Sequence, residues 1–192
     1  MPSRKESQSA EELLGDDHAA LDTLLKALID ALDKANAATV LARLDFFWAR
    51  LALHIRAEHL HLFPAILERL KEPAQTDQFP RATSTRKTIA QLRADHDFFM
   101  HELAAAIKTV RMLKDTAHSE AESHLMDEVR TSISAVSKRL EAHNEVEEKL
   151  VYSLPAIVLT PTGRRALVEG IQRELQNLPP RFSDAQPEAH EI

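Results

Sequence analysis

The sequence predicts an all-α protein: an up-down-up-down four-helix bundle with a short fifth helix at its C-terminal end. Three observations carry this. Glycine occurs only 3 times in 192 residues and β-branched runs are scarce, so the usual punctuation of sheets is missing. Apolar residues recur at steps of three and four through four long stretches, the spacing that lines one face of a helix. A pattern of ionisable residues also occurs twice, each time at a spacing that suits a helical hairpin.

Taken in order, Ser9-Ala10-Glu11-Glu12 is a capping-box pattern that starts the first helix. Leu14, His18, Leu21, Leu25, Leu28 and Leu32 form its inward stripe. Asn36 marks a turn. The second helix is expected over residues 39–63, with Val40, Leu44, Phe47, Leu51, His54 and Glu58 facing in. Pro64 ends or kinks it, Ala65 to Leu70 continue as a short helical turn, and a proline-bearing loop over 72–81 leads to the second half. The third helix begins near Thr83 and carries Ile89, Leu92, His96, Phe99, Leu103 and Val110. After a short connection over 114–118, Ser119-Glu120-Ala121-Glu122 repeats the capping box. The fourth stripe is Met126, Val129, Ile133, Val136, Leu140, His143 and Glu147, closed by Pro155 and Pro161. Residues 163–178 suit a fifth, amphipathic helix through Leu167, Ile171 and Leu175. The helical domain thus spans 9–178, and 179–192 reads as a polar, disordered tail.

Composition narrows the chemistry. With no cysteine, disulfides, thiolate zinc sites and iron–sulfur clusters are excluded, and imidazole and carboxylate remain as metal-binding groups. The net charge of −6 is spread over interspersed signs, which argues against nucleic acid as a partner. No stretch approaches a membrane span, and a cytoplasmic location is expected.

His54-Ile55-Arg56-Ala57-Glu58 and His143-Asn144-Glu145-Val146-Glu147 are both His-x-x-x-Glu. On a helix a four-residue step turns only about 40° and rises about 6 Å, so the imidazole and carboxylate project from one face. Upstream of each lies an acid–His pair: Asp17-His18, with His18 36 residues before His54, and Asp95-His96, with His96 47 before His143. In a helical hairpin two such histidines meet only if they sit equally far from the turn. The midpoints fall at residue 36 and between 119 and 120, where turns are independently predicted. Antiparallel packing then brings His18, His54, Glu58, His96, His143 and Glu147 to one level. That set is too large for one ion and suits two, each on one imidazole pair, with Glu58 and Glu147 bridging. Burying such carboxylates without a compensating cation is costly.

On these six residues, over about 10–155, the chain resembles the hemerythrin family, in particular its HHE cation-binding branch; Phe63-Pro64 resembles the Leu-Phe-Pro ending of the family's first motif. The resemblance implies a four-helix bundle around two non-haem iron ions, oxo- or hydroxo-bridged. It also implies a partner that is a small diatomic molecule or peroxide: oxygen, nitric oxide or hydrogen peroxide bound or sensed. The alternative is a di-iron enzyme that decomposes peroxide or reduces nitric oxide; the protein partner is not specified by sequence. Oxygen carriers of the family have His-x-x-x-His on the third helix, but Met100 stands four residues after His96 and His101 points elsewhere. The site therefore has four histidines, with positions left for exogenous ligands.

Glu58 and His61 make a Glu-x-x-His, the spacing of ferritin-like centres, but the second copy has Leu150 in the equivalent place. His61 is placed one layer outside the metals, opposite Glu11. His59, His118, His124 and His190 read as solvated, and Tyr152 as packing under the bundle end, with a radical or hydrogen-bonding role as the alternative. The residues inward of the ligands, Phe47, Leu51, Phe99, Leu103, Val136 and Leu140 among them, are apolar and predict a dry surround.

Overall fold

The computed structural model describes residues 8–34, 36–71, 82–113 and 120–182, and among them every regular element is helical. Helix α1 (Ala10–Asp33) starts with the capping box: Ser9 accepts from the Glu12 N–H at 3.1 Å while the Glu12 carboxylate accepts from the Ser9 N–H at 2.7 Å. Helix α2 (Ala37–Ala57) starts at Asn36, whose side-chain oxygen accepts from the Thr39 N–H at 2.9 Å. The first hairpin therefore turns where the histidine spacing requires. Helices α4 (Ala82–Leu113) and α5 (Glu120–Leu150) flank the second midpoint. The 72–81 loop, the 114–118 connection and Ser119 lie outside the described residues.

Neighbouring helices run antiparallel. Arg130 near the start of α5 donates to the carbonyl of Leu32 at the end of α1 at 2.8 Å, while His18 near the start of α1 meets Glu148 near the end of α5. Arg86 at the start of α4 likewise donates at 2.7 Å to the carbonyl of Leu70, beyond the end of the second helix. The four long helices thus close an up-down-up-down bundle, and no helix among the described residues is long and apolar enough to cross a membrane.

Past residue 63 the chain stays helical, as expected, although the π turn itself is not foreseen: α2 passes through a π turn (Glu58–Leu62) into α3 (Phe63–Arg69). The wide turn, in which the Phe63 N–H bonds the carbonyl of Glu58, lies just before Pro64. There a regular helix would set the proline ring against a carbonyl one turn back. Pro161 opens α7 (Pro161–Leu175) instead of closing the preceding helix, because Thr160 caps that start by accepting from the Gly163 N–H at 3.2 Å. A short α6 (Leu154–Val158) fills the interval. The segment expected to begin a tail is partly packed: Pro180–Phe182 form a 3-10 turn, the Phe182 ring lies 5.4 Å from Phe46 and Arg181 pairs with Asp45 at 3.0 Å. Residues 183–192 are outside the described residues.

The apolar core is in two parts. The larger, between the long helices, contains Leu25, Leu28, Leu44, Phe47, Leu51, Phe99, Leu103, Val136 and Leu140. The smaller, at one end, contains Leu14, Leu62, Phe63, Ile66, Leu92, Val151, Tyr152 and Ile171, the last from α7 lying across α1 and α2. Between the two parts lies a single buried polar layer.

Candidate metal centre

His18, His54, Glu58, His96, His143 and Glu147 compose that layer, all at 3% exposure or less, with both glutamates at 0%. Each helix of the bundle supplies one imidazole, and α2 with its π turn and α5 also supply the carboxylates. The imidazoles meet in two pairs by their inner nitrogens: His18 Nε2 to His54 Nε2 at 3.1 Å, and His96 Nε2 to His143 Nε2 at 2.9 Å. Each carboxylate reaches both pairs. Glu58 places Oε1 3.6 Å from His54 Nε2 and Oε2 3.2 Å from His96 Nε2. Glu147 places Oε2 3.4 Å from His18 Nε2 and Oε1 3.1 Å from His143 Nε2.

Every outer nitrogen has its own partner. His54 Nδ1 lies 3.0 Å from Asp17 Oδ2, and His143 Nδ1 lies 3.3 Å from Asp95 Oδ2. Those aspartates are held by arginines from the neighbouring helix: Asp17 by Arg50, and Asp95 by Arg139 at 2.6 and 2.9 Å. His18 Nδ1 lies 2.8 Å from Glu148 Oε1, and His96 Nδ1 lies 2.9 Å from His59 Nε2. A carboxylate on the outer nitrogen keeps the ring proton there and turns the inner lone pair toward the centre.

Two such lone pairs about 3 Å apart repel unless a cation or a proton lies between them. The buried carboxylates share the requirement: Glu58 Oε2 and Glu147 Oε1 are shielded from solvent with no hydrogen-bond partner among the described residues. The electrostatics of the layer favour positive charge at two of its imidazoles. Burial pulls the His54 pKa down, but Glu58 and Asp17 outweigh it and raise it to about 10. Burial pushes Glu58 up, yet the attraction of His54 and His96 holds it well below the usual carboxylate range. Burial also opposes charge on His143, and Glu147 with Asp95 raises its pKa nevertheless. Neutral-nitrogen and carboxylate donors around positions that favour positive charge are the chemistry of a cation site. Two overlapping groups of donor atoms each lie within 4.8 Å of one another: Glu58, His96, His143 and Glu147, and His18, His54 and Glu147.

Some residues stand apart from their sequence reading. His59 is half-buried against His96, not solvated; burial lowers its pKa, and His96 and Arg93 lower it further. Tyr152 does more than pack: its hydroxyl donates to Glu58 Oε1 at 2.8 Å inside the polar layer. Burial, then Glu147 and Glu58, push that phenol well above the usual tyrosine range. His61 does not meet Glu11. It turns to α7, where it lies 3.9 Å from Glu174 and against Gly170. His101 is exposed and away from the layer, and His124 is exposed beside Glu128. His118 and His190 lie outside the described residues.

Arg50 and Arg139 carried no role in the sequence reading, although a signal for them exists. Each precedes its histidine by four residues, so both motifs extend to Arg-x-x-x-His-x-x-x-Glu.

On the larger core's side the layer meets apolar groups, including Phe99, whose ring stands at 87° to that of His143 with centroids 5.2 Å apart. A cleft of about 590 Å³ opens on the other side, lined by Glu11, Tyr152, Pro155, Arg164, Leu167 and Gln172 among others.

No match was found among curated proteins or among solved structures. Residues 9–154 match the profile of the hemerythrin HHE cation-binding domain, a span that holds all four long helices and the whole His/Glu layer. The chain belongs to the hemerythrin HHE cation-binding family, and its buried His/Glu cluster could hold a metal.

Proposed function

We propose that the protein is a hemerythrin-like di-iron protein that binds or senses a small molecule, oxygen, nitric oxide or peroxide, at a centre of two non-haem irons. The observation that carries this reading is the reach of the carboxylates. Glu58 and Glu147 each direct one oxygen to the His18/His54 pair and the other to the His96/His143 pair. One ion would need only one of these pairs, whereas two ions use both and give each carboxylate a bridging role. In this assignment His18 and His54 hold one ion and His96 and His143 the other. Asp17 and Asp95 orient an imidazole in each pair and strengthen its inner nitrogen as a donor.

Bound iron would supply a redox-active centre able to take up a small ligand. The chain's own groups restrict what arrives. Apolar residues close the layer on one side, which disfavours large or charged molecules. The same residues would suit an enzyme that consumes peroxide or nitric oxide, and an assay of turnover separates the two readings.

The test is to load the purified protein with ferrous iron without oxygen, count the metal per chain, and titrate with nitric oxide, oxygen and peroxide. Two irons with saturable spectral changes and no sustained peroxide consumption are expected. Sustained consumption of peroxide or nitric oxide would establish the enzymatic alternative, and failure to retain iron would refute the di-iron reading.

A further inference from the structure

Tyr152 is the chain's single tyrosine, it is 2% exposed, and its hydroxyl sits at the meeting point of one half of the polar layer. The oxygen lies 2.8 Å from Glu58 Oε1, 2.9 Å from His18 Nε2, 3.2 Å from His54 Nε2 and 3.2 Å from Glu147 Oε2. A hydroxyl offers one proton and two lone pairs, so four converging neighbours exceed what it satisfies by hydrogen bonding. Two of them are the inner nitrogens assigned above to one ion. An oxygen this close to the donor atoms of a cation site is itself a further donor to that site.

Among the described residues the other half of the layer has no such atom. The backbone geometry repeats: the Tyr152 N–H bonds the carbonyl of Glu147, five residues back, at 2.9 Å, as the Phe63 N–H bonds that of Glu58. Phe63 is thus the counterpart of Tyr152. Its ring lies nearly parallel to that of His96 with centroids 6.1 Å apart, and it has no donor atom to offer.

We propose that Tyr152 is a ligand of the ion held by His18 and His54, and that an exogenous small ligand consequently binds at the ion held by His96 and His143. On coordination the phenol O–H bond breaks, an oxygen–metal bond forms, and the proton leaves to solvent; the cleft that Tyr152 lines gives it a path. This inference rests on the two-ion reading above and adds an asymmetry to it.

Because there is one tyrosine, no substitution is needed to see it. Ring-deuterated tyrosine labels Tyr152 alone. The protein loaded with iron and oxidised should show a visible phenolate-to-iron(III) absorption, with resonance Raman ring modes that shift on deuteration; Tyr152→Phe should lose both and keep its helical circular dichroism. Azide added to the labelled protein should produce its own charge-transfer band and leave the tyrosinate modes in place. Two bound irons without tyrosinate modes would overturn the Tyr152 assignment and spare the two-ion reading. Loss of those modes on adding azide would overturn the placement of the exogenous ligand. A chain that retains fewer than two irons would overturn both the proposal and the reading beneath it.

Discussion

The two halves of the molecule, α1 with α2 and α4 with α5, carry the same inner residues in different surroundings. Each half has an Asp-His on its first helix and an Arg-x-x-x-His-x-x-x-Glu on its second. In each, the arginine holds the aspartate and the aspartate holds the outer nitrogen of the motif histidine. Outside that shared unit the halves diverge. The outer nitrogen of His18 meets a carboxylate, Glu148, whereas that of His96 meets an imidazole, His59. Tyr152 stands in one half where Phe63 stands in the other, and α7 covers the first hairpin, with Arg50 donating to the carbonyl of Leu175 at 3.0 Å. What a metal needs is duplicated, and what would tune it is not. Two positions with matched imidazoles and carboxylates can therefore differ in charge and access through the groups around them.

The shared unit can be broken most severely at the glutamates. Glu58→Ala or Glu147→Ala should lower metal occupancy in both halves, because each carboxylate reaches both imidazole pairs. His18→Ala or His143→Ala should instead empty chiefly its own half. Metal content per purified chain distinguishes the cases; a full metal load in both glutamate variants would rule out bridging. Phe99 stands at 0% exposure against His96 and His143, and Phe99→Ala should cost about 3–5 kcal/mol in denaturant unfolding. A much smaller loss would mean that the apolar side of the layer is loosely packed.

Asp17→Asn and Asp95→Asn test whether the halves are truly equivalent in their supports. Each should weaken metal binding by roughly 10–100-fold, measured by chelator competition, and each in its own half. Unequal losses would locate part of the asymmetry in the arginine–aspartate pairs themselves. The smallest effect concerns α7, the helix that covers the first hairpin. A Cβ on Gly170 would lie 2.6 Å from His61 Nδ1, so Gly170→Ala should destabilise by about 1–3 kcal/mol, typical of overpacking. Adding His61→Ala should recover most of that loss; no recovery would show that the strain lies elsewhere on α7.

Much of this was legible in the sequence because both the fold and the inner residues rest on periodicity. The helical stripes, the Ser9 capping box, the turn at Asn36 and the levelling of the six ionisable residues all follow from counting along a regular helix. What escaped is what departs from that regularity. His59, inside the π turn that follows Glu58, lies against His96 and not in solvent. The same wide turn at Glu147 aimed Tyr152 at the layer, where a regular helix would have suggested packing alone. Arg50 and Arg139 flank the layer and face partly outward, so a search restricted to inward positions passes over them despite their repeated spacing. The packing of Phe182 on Phe46 depends on where α7 leaves the chain, which no local pattern encodes.

Anomalous scattering at the iron absorption edge, from crystals of the iron-loaded protein, tests the central claim most directly. The account predicts two peaks inside the bundle, one beside the inner nitrogens of His18 and His54 and one beside those of His96 and His143, with Glu58 and Glu147 touching both. A single peak shared by the four imidazoles, or a peak outside the layer with none within it, would contradict it.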